Sequence, residues 1–337
     1  MTTWSWLRRP RPPLDDPLVF TGSASPRLAA AICRGLGVEP GRGEVLRFSE
    51  GTLFVRVLQN VRGRRVYLVQ STVFPTNDNF MELLFWIDAL KRASAESVTA
   101  VIPYFAYAKG DKKDEPRVSI RARVCADAIE DAGADRVVTM DLHAPQIQGF
   151  FRVPVDDLYA VDRLCAALRA HGRERPVVVS PDAGFAKKAR GYAQRLQAPL
   201  AIADKTRTGH AEAPEAVQVI GDVAGRDAII VDDFTVSGGT LIEAARELER
   251  RGARSVMAAV THGVLAPGAI AALEASPIER LLVTDTIETQ PEPPRRPVEV
   301  VSVAPLFAEA IRRIHRRESI SSLFTAAGAG ADGAGDG

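Results

Sequence analysis

The chain has 337 residues, of which 46% are hydrophobic and 25% are charged, and its formal net charge is +1 at pH 7. This length and composition predict about two globular domains with packed cores. The near-zero charge argues against a dedicated nucleic-acid surface, and no apolar run reaches the roughly 18 residues of a membrane span, so we expect neither nucleic acid nor membrane as a partner.

Both ends of the chain lack a regular pattern. Residues 1–16 carry arginine and proline where a secretory signal needs an apolar region, so we interpret them as an irregular leader. Residues 325–337 are rich in glycine, alanine and aspartate, and they predict a disordered tail. Cys33, Cys125 and Cys165 lie in apolar helical patterns without a C-x-x-C pair. They predict core thiols and a reducing, cytoplasmic location.

Between these ends, short apolar runs alternate with longer helical patterns. Apolar and polar residues first alternate over 44–72, around Ser-Glu-Gly, which predicts a hairpin. The predicted strands that follow are 98–105, 136–143, 176–180, 227–233, 255–263 and 280–287. The predicted helices are 79–94, 118–133, 184–197, one that begins after Gly239, and 305–317.

Alternating strands and helices predict mostly parallel sheets with helices on both faces. The alternation occurs twice, on either side of a proline-containing stretch, so we predict two α/β domains, 17–160 and 161–324. Ligands of such sheets bind beyond the carboxyl ends of the strands. Four predicted strands end in polar motifs, and each is a candidate site: MDLH, SPDAG, VDDF and VTHG.

Cationic residues follow two of the predicted strands. Lys109, Lys112, Lys113 and Arg117 come after strand 98–105. A charge run is usually a solvated surface, but its position directly after a buried strand favours an anionic ligand. Lys205 and Arg207 lie in a polar stretch whose composition predicts a mobile loop, and such loops often close cations over a phosphoryl group.

Two strand ends carry single polar candidates. His143 is a candidate metal or phosphate ligand, although a histidine in this position is more often a local hydrogen-bonding group. Asp182 precedes a predicted helix, and an N-cap is an equally weighted interpretation.

The stretch AIIVDDFTVSGGT, residues 228–240, combines two kinds of binding group. The glycine-rich turn and the helix after it offer backbone N–H groups to a phosphate. Asp232 and Asp233 can accept hydrogen bonds from vicinal hydroxyls or help to hold Mg2+. A capped turn with a solvated Asp233 is the alternative, and the motif alone gives the two about equal weight.

Taken in order, these motifs resemble the ribose-phosphate pyrophosphokinase family, also called phosphoribosyl pyrophosphate synthetases, from about residue 20 to 324. The most specific stretches are NVRG, QSTVFPTNDNFMELL, DLHAPQIQGFF, SPDAG, GDVAGRDAIIVDD and LFAEAIRRIH. The resemblance implies two phosphoribosyltransferase-type domains, each a mostly parallel sheet flanked by helices. It also implies Mg2+-dependent transfer of the diphosphoryl group of ATP to O1 of ribose 5-phosphate, with release of AMP, and a homo-oligomer, typically a hexamer built from dimers.

The resemblance also implies roles for individual residues. Lys205 and Arg207 are the catalytic cations of the loop, and His143 and Asp182 lie at the metal site. Ribose 5-phosphate is assigned to Asp232, Asp233, Ser237, Gly238, Gly239 and Thr240. ATP is assigned to Phe48, Glu50, Lys109, Asp111, Arg117 and His143. An allosteric phosphate site is assigned to Arg62, Asp156, Ser319 and Ser321.

The chain departs from the family pattern at several of these sites. Lys109-Gly110 replaces Arg-Gln, and lysine lacks the bidentate fork of arginine. The other departures are Thr52 for glutamate in the hairpin, Phe185 for the second glycine of the metal turn, Val236 for aspartate, and Asp157 for asparagine.

Three hypotheses follow. An active but slower synthetase is favoured by the retained loop cations, carboxylates and glycine turn. A non-catalytic or regulatory paralogue of an active synthetase is the second, and a synthetase with an altered acceptor or nucleotide is the third.

Overall fold

The structure is a computed structural model that describes residues 16–206, 216–288 and 298–324. The description is limited to the backbone at Lys205, Thr206, Ala216, Val217 and Phe324. The predicted tail, the predicted leader apart from residue 16, and Arg207 lie outside the described residues. Within those three ranges, no helix has both the length and the apolar composition that crossing a membrane requires.

The described residues form fourteen strands and eight α-helices. The strands are β1 (Leu18–Thr21), β2 (Gly43–Arg47), β3 (Leu53–Val57), β4 (Arg65–Val69), β5 (Ser97–Ile102), β6 (Arg136–Met140), β7 (Val155–Leu158), β8 (Pro176–Ser180), β9 (Leu200–Thr206), β10 (Ala216–Ile220), β11 (Asp227–Thr235), β12 (Ser255–Gly263), β13 (Ile278–Thr284) and β14 (Val298–Val301). The helices are α1 (Pro26–Leu36), α2 (Thr76–Arg92), α3 (Arg121–Asp131), α4 (Val161–Ala170), α5 (Ala186–Leu196), α6 (Gly239–Arg250), α7 (Ala269–Glu274) and α8 (Ala304–Arg316). Short 3-10 turns occupy Ala108–Gly110, Pro145–Phe150 and Ser321–Phe324.

The strands build two large sheets and one hairpin. The first sheet has the order β1-β4-β5-β6-β7 and is parallel throughout. The second has the order β10-β9-β8-β11-β12-β13-β14, in which only β10 runs antiparallel to its neighbour. The hairpin is the β2–β3 pair. The predicted fold class, two mostly parallel sheets flanked by helices, is confirmed.

The strands are buried because helices cover both faces of each sheet. β5 is buried from Val98 to Ile102, and β11 from Asp227 to Val231. Such continuous apolar runs are typical of parallel strands in α/β proteins.

One cluster of buried side chains joins the two sheets. It runs from Tyr67 of β4 through Ile32 of α1 to Ile229 of β11 and Phe307 of α8. The last helix of the second half therefore packs on the first helix of the chain. The three cysteines are buried thiols, as predicted.

The hairpin prediction over 44–72 was too long. Only β2 and β3 pair antiparallel, whereas β4 lies parallel between β1 and β5. β4 is buried on both faces from Val66 to Val69, so its apolar run fits the centre of a sheet rather than an exposed ribbon.

Several predicted elements have different ends in the structure. Strand 98–105 ends at Ile102, strand 136–143 ends at Met140, and helix 118–133 begins at Arg121. In the first two cases, the residues beyond the strand turn toward the candidate site. The predicted domain boundary near residue 160 stays a prediction.

Candidate functional site

The carboxyl ends of β6, β11 and β12 meet at a cavity of about 170 Å3 between the two halves. Its walls include Tyr104, Lys109, His143, Asp233, Phe234 and Val236. The structure thus brings together three residues predicted from separate motifs: Lys109, His143 and Asp233. Convergence of strand ends from both sheets explains why residues so far apart in sequence meet.

A histidine, a carboxylate and a lysine form the polar centre of this cavity. Nδ1 of His143 lies 2.8 Å from Oδ2 of Asp233, and since a carboxylate accepts, we assign the proton to Nδ1. The Asp233 side chain is only 6% exposed, whereas that of His143 is 41% exposed. Nζ of Lys188 lies 3.9 Å from the same carboxylate oxygen and donates to the Leu142 carbonyl at 3.0 Å. The sequence analysis missed Lys188, because it lies on α5 and joins the site only through the tertiary fold.

The two adjacent aspartates have opposite electrostatic environments. Burial and the charge of Asp233 raise the pKa of Asp232 above the ordinary range. Burial also opposes ionisation of Asp233, but the hydrogen bond from His143 and the charge of Lys188 hold its pKa below the ordinary value. His143 and Lys188 favour the ionised form of Asp233, and the negative charge of Asp233 disfavours ionisation of Asp232. A cation bound beside Asp232 would offset that effect.

The turn after β11 presents small residues to the surface. Gly238 is left-handed, with φ of 80°, and immediately precedes α6. A Cβ at this position would lie 3.3 Å from Leu273, so the turn needs glycine for space as well as for conformation. Ser237 and Thr240 are exposed and flank the helix N-terminus. This arrangement suits a phosphate.

Val236 stands at the start of that turn. Its side chain is 42% exposed and lines the cavity. Its carbonyl accepts the N–H of Ala266 at 2.9 Å, so the backbone is held in place without the side chain.

The segment after β5 is anchored by hydrogen bonds at both ends. Tyr107 is left-handed, with φ of 62°, and its hydroxyl is bonded to Asn77. Asp111 accepts from Gln146 at 3.0 Å. Arg117 is exposed and left-handed, with φ of 64°.

Gly110 has a packing role that explains one departure from the family pattern. A Cβ at this position would lie 2.6 Å from Nε and 2.8 Å from Cβ of Arg121. Arg121, at the start of α3, therefore occupies the space that a side chain at position 110 would need.

The hairpin carries the other predicted ATP residues away from the cavity. Phe48 is 46% exposed and its ring lies 6.0 Å from that of Phe54. Glu50 accepts from Thr52 at 2.8 Å. The cavity has no wall from the hairpin, so within one chain Phe48 and Glu50 do not join Lys109 and His143.

The N-cap of α5 is Phe185, without a side-chain cap hydrogen bond, so Asp182 does not adopt the capping role that was its alternative interpretation. Its Oδ1 accepts the N–H of Phe185 at 2.8 Å, next to the start of α5. Among the described residues, no group of three His, Cys, Asp or Glu side chains is arranged to hold a metal ion. Mg2+ nevertheless fits the site, because it is usually held by one or two carboxylates together with substrate phosphates, and Asp232 and Asp233 lie side by side near the end of β11.

A second pair of carboxylates lies behind His143. Asp141 accepts from Thr261 Oγ1 at 2.6 Å and from the Ala160 N–H at 3.0 Å. Asp157 accepts the Leu142 N–H at 3.1 Å through Oδ1, while its buried Oδ2 has no partner among the described residues. Burial and the charge of Asp141 raise the pKa of Asp157 to about 7.

A buried histidine connects the halves beneath the cavity. Nε2 of His262 lies 3.0 Å from the Met140 carbonyl, and Nδ1 lies 2.9 Å from Thr286 Oγ1. Burial lowers the pKa of His262 below its ordinary value, so the ring is neutral at pH 7. The only signal for His262 in the sequence is the polar end of strand 255–263.

The predicted loop cations are only partly placed. Lys205 lies in strand β9 rather than in the predicted loop, and its backbone pairs with that of Val217 in β10. Arg207 lies outside the described residues.

The four residues predicted to bind an allosteric phosphate are not joined by a common contact. Ser319 donates to Ser321 Oγ at 3.1 Å, and Asp156 is paired with Arg136. Arg62 is tied through its backbone N–H to Asn60 at 3.0 Å. In the described part of the chain, no hydrogen bond or ion pair links these three groups, so this site stays a prediction.

Comparison with known proteins gives a consistent picture. Residues 18–133 match the family model of the N-terminal domain of ribose phosphate pyrophosphokinase, and residues 208–325 match that of the phosphoribosyl synthetase-associated domain. A ribose-phosphate pyrophosphokinase of Caldanaerobacter subterraneus is 49% identical over 91% of this chain and 97% of its own length. One from Rhizobium meliloti is 47% identical over 91% of this chain and 99% of its own length. The crystal structure of phosphoribosylpyrophosphate synthetase from Mycobacterium smegmatis superposes with a TM-score of 0.85 at 38% identity, over 90% of this chain and 100% of that one.

Proposed function

The chain belongs to the ribose-phosphate pyrophosphokinase family, and on that basis we propose that it transfers the diphosphoryl group of ATP to O1 of ribose 5-phosphate, releasing AMP. The observation that carries the proposal is the convergence of Lys109, His143 and Asp233 on one cavity, beside the glycine turn. Cations, a carboxylate and a phosphate-binding helix N-terminus are the groups that a diphosphoryl transfer between two phosphorylated substrates needs.

We propose that the second half of the chain binds the acceptor and that the first half binds the donor. Ser237 to Thr240 hold the 5-phosphate of the acceptor, and Asp232 and Asp233 orient its ring hydroxyls. Lys109 and His143 face the donor phosphates from the other side. The reaction then depends on positioning and charge neutralisation, because no covalent intermediate with the protein is required.

Bound Mg2+ would neutralise phosphate oxygens during the transfer. Asp232 is the residue best suited to favour it, since its burial beside Asp233 makes a nearby cation stabilising. We propose that Asp182 assists from the next strand end, and that Lys205 and Arg207 close over the moving group.

A second function, that of a non-catalytic partner of an active synthetase, is favoured by the hairpin and by Gly110. The hairpin has Thr52 where the family pattern has glutamate, and Gly110 offers no side chain for contact with a nucleotide. We propose that the chain forms a homo-oligomer if it is the enzyme, and a hetero-oligomer with the active synthetase if it is the partner.

Steady-state AMP release from purified protein with Mg2+ and ATP distinguishes the catalytic function from the role of a non-catalytic partner. The proposed function predicts AMP release that requires ribose 5-phosphate and saturates with it. No release, together with co-purification of a second synthetase, would favour the partner role. Turnover with another sugar phosphate but not with ribose 5-phosphate would favour an altered acceptor.

A further inference from the structure

The Phe234 ring contacts both the Lys109 ammonium and the His143 imidazole in the candidate site. Phe234 follows Asp233 at the end of β11, and its ring lines the cavity. Nζ of Lys109 lies 4.0 Å from the ring centroid. The ring of His143 is nearly perpendicular to it, at 85°, with the centroids 5.7 Å apart. One aromatic ring from the second half thus contacts two groups from the first.

The contact holds the Lys109 ammonium without neutralising it. Lys109 forms no ion pair with a carboxylate in the described residues, and an aromatic face attracts a cation while carrying no net charge. A carboxylate in the place of Phe234 would compete with an anionic ligand for the ammonium. The ring leaves the full positive charge available to the cavity.

Backbone anchoring alone cannot place this ammonium. The 3-10 turn at Ala108–Gly110 is fixed by the Gly110 N–H, which donates to the Tyr107 carbonyl at 2.7 Å. The Lys109 side chain is exposed, and its four-carbon stem can rotate about each of its bonds. This conformational freedom is lost when the ammonium binds a ligand. A contact that restricts the chain before binding reduces that loss.

We propose that Phe234 is a positioning residue that holds the Lys109 ammonium over the cavity for the phosphates of the diphosphoryl donor. This inference rests on the proposed function, since it assigns Lys109 to the donor. It concerns the donor alone, because Asp232, Asp233 and the glycine turn are the groups assigned to the acceptor. Arginine, the family's residue at this position, can orient itself on a phosphate through its planar guanidinium fork, which lysine lacks. In this chain the Phe234 ring would orient the lysine ammonium instead.

The test compares KM values for ATP and for ribose 5-phosphate in a set of variants. Phe234→Leu removes the aromatic face but keeps apolar bulk, and we expect it to raise the KM for ATP about fivefold. The KM for ribose 5-phosphate should stay within about twofold of that of the wild type. Phe234→Tyr keeps the face and should restore the ATP value. Phe85→Leu, an exposed phenylalanine on α2, is the matched control and should change neither.

A double variant separates positioning from packing. Lys109→Met should raise the KM for ATP, and adding Phe234→Leu to it should cause no further rise, because the ring then has no ammonium to hold. The inference would be overturned if the effects of the two substitutions on the KM for ATP were additive. It would also be overturned if Phe234→Leu left the KM for ATP unchanged, or raised the KM values for ATP and ribose 5-phosphate equally.

Failure of the proposed function gives a different result. If the wild type releases no AMP under any condition, that function fails. Calorimetric titration with ATP and Mg2+, without ribose 5-phosphate, then decides the role of the ring. Weaker ATP binding by Phe234→Leu than by the wild type supports the positioning role of Phe234. Equal ATP affinities of the two proteins overturn that role.

Discussion

Asp157 is a buried carboxylate with unfavourable surroundings. Its side chain is 2% exposed, one of its oxygens has no partner, and Asp141 lies nearby. The family pattern has asparagine at this position, which would carry no charge. Thr139 lies opposite Asp157 in the β6–β7 register, and its buried hydroxyl also has no partner.

We predict that Asp157 makes the protein less stable as the pH rises. Burial and Asp141 raise the folded-state pKa to about 7, above the ordinary value of 3.8. Between these values the folded state binds more protons than the unfolded state, so the free energy of unfolding falls as pH increases from about 4 to about 7. Asp157→Asn should remove most of this fall, and melting temperatures measured from pH 5 to 8 would show it. Parallel pH profiles of the two proteins would contradict this assignment.

Val236 gives a prediction about catalysis. An aspartate at this position would face the cavity and offer an acceptor to a sugar hydroxyl or to a metal-bound water, and the loss of such a partner costs about 1–3 kcal/mol. Val236→Asp should therefore raise kcat/KM for ribose 5-phosphate roughly tenfold, equivalent to about 1.4 kcal/mol. Val124→Asp, at a 60% exposed position on α3, is the matched control. Reduced activity of Val236→Asp would mean that the site has been rebuilt around valine.

Among the elements, β9 leads to Arg207, and the proposed role of Lys205 and Arg207 in turnover gives a prediction. We predict that Lys205→Ala with Arg207→Ala lowers kcat by roughly a thousandfold, because cations that close over the transferring group act mainly on the transition state. Binding of ribose 5-phosphate, measured by calorimetry, should barely change. Arg34→Ala, at an exposed position on α1, is the control. Near-normal turnover of the double variant would show that the loop has another role.

Periodicity in the sequence predicted most of the elements and the strand ends that carry the site. Strand 227–233 and the helix after Gly239 were found because an apolar run gives way to a glycine turn. β4 was misassigned because its alternation resembles that of the hairpin before it, and only burial on both faces distinguishes them.

The contacts within the site could not be predicted from the sequence. His143 and Asp233 are 90 residues apart, and their hydrogen bond depends on how the two sheets meet. The same holds for the contacts of Lys188 with Asp233 and of the Phe234 ring with Lys109, since each joins residues from separate parts of the sequence.

At the scale of the whole molecule, the two halves are joined by polar contacts as well as by a shared core. Glu288, after β13, accepts the N–H groups of Arg27 and Leu28 at 2.7 and 2.9 Å, at the N-terminus of α1. Its carboxylate also pairs with Nε of Arg27 at 3.0 Å. A carboxylate from the second half thus caps a helix of the first.

We predict that Glu288→Ala lowers the free energy of unfolding by about 1–3 kcal/mol, because the buried end of α1 loses its acceptors. Urea unfolding should remain a single transition, since the shared core keeps the halves coupled. Tryptophan fluorescence, to which the buried Trp86 contributes together with Trp4 and Trp6, and far-UV circular dichroism, followed together, would check both points. Glu39→Ala, at an exposed position, should have little effect. Two separated transitions in the wild type would contradict the coupling.

The proposed function requires that this chain, with its altered ATP segment and Val236, still transfers an intact diphosphoryl group. Phosphorus NMR of a reaction containing the protein, Mg2+, ATP and ribose 5-phosphate follows that group directly. We expect AMP in equal amount with a sugar diphosphate whose two phosphorus signals are coupled to each other, and ATP should decrease accordingly. Unchanged ATP, or ADP in place of AMP, would contradict it.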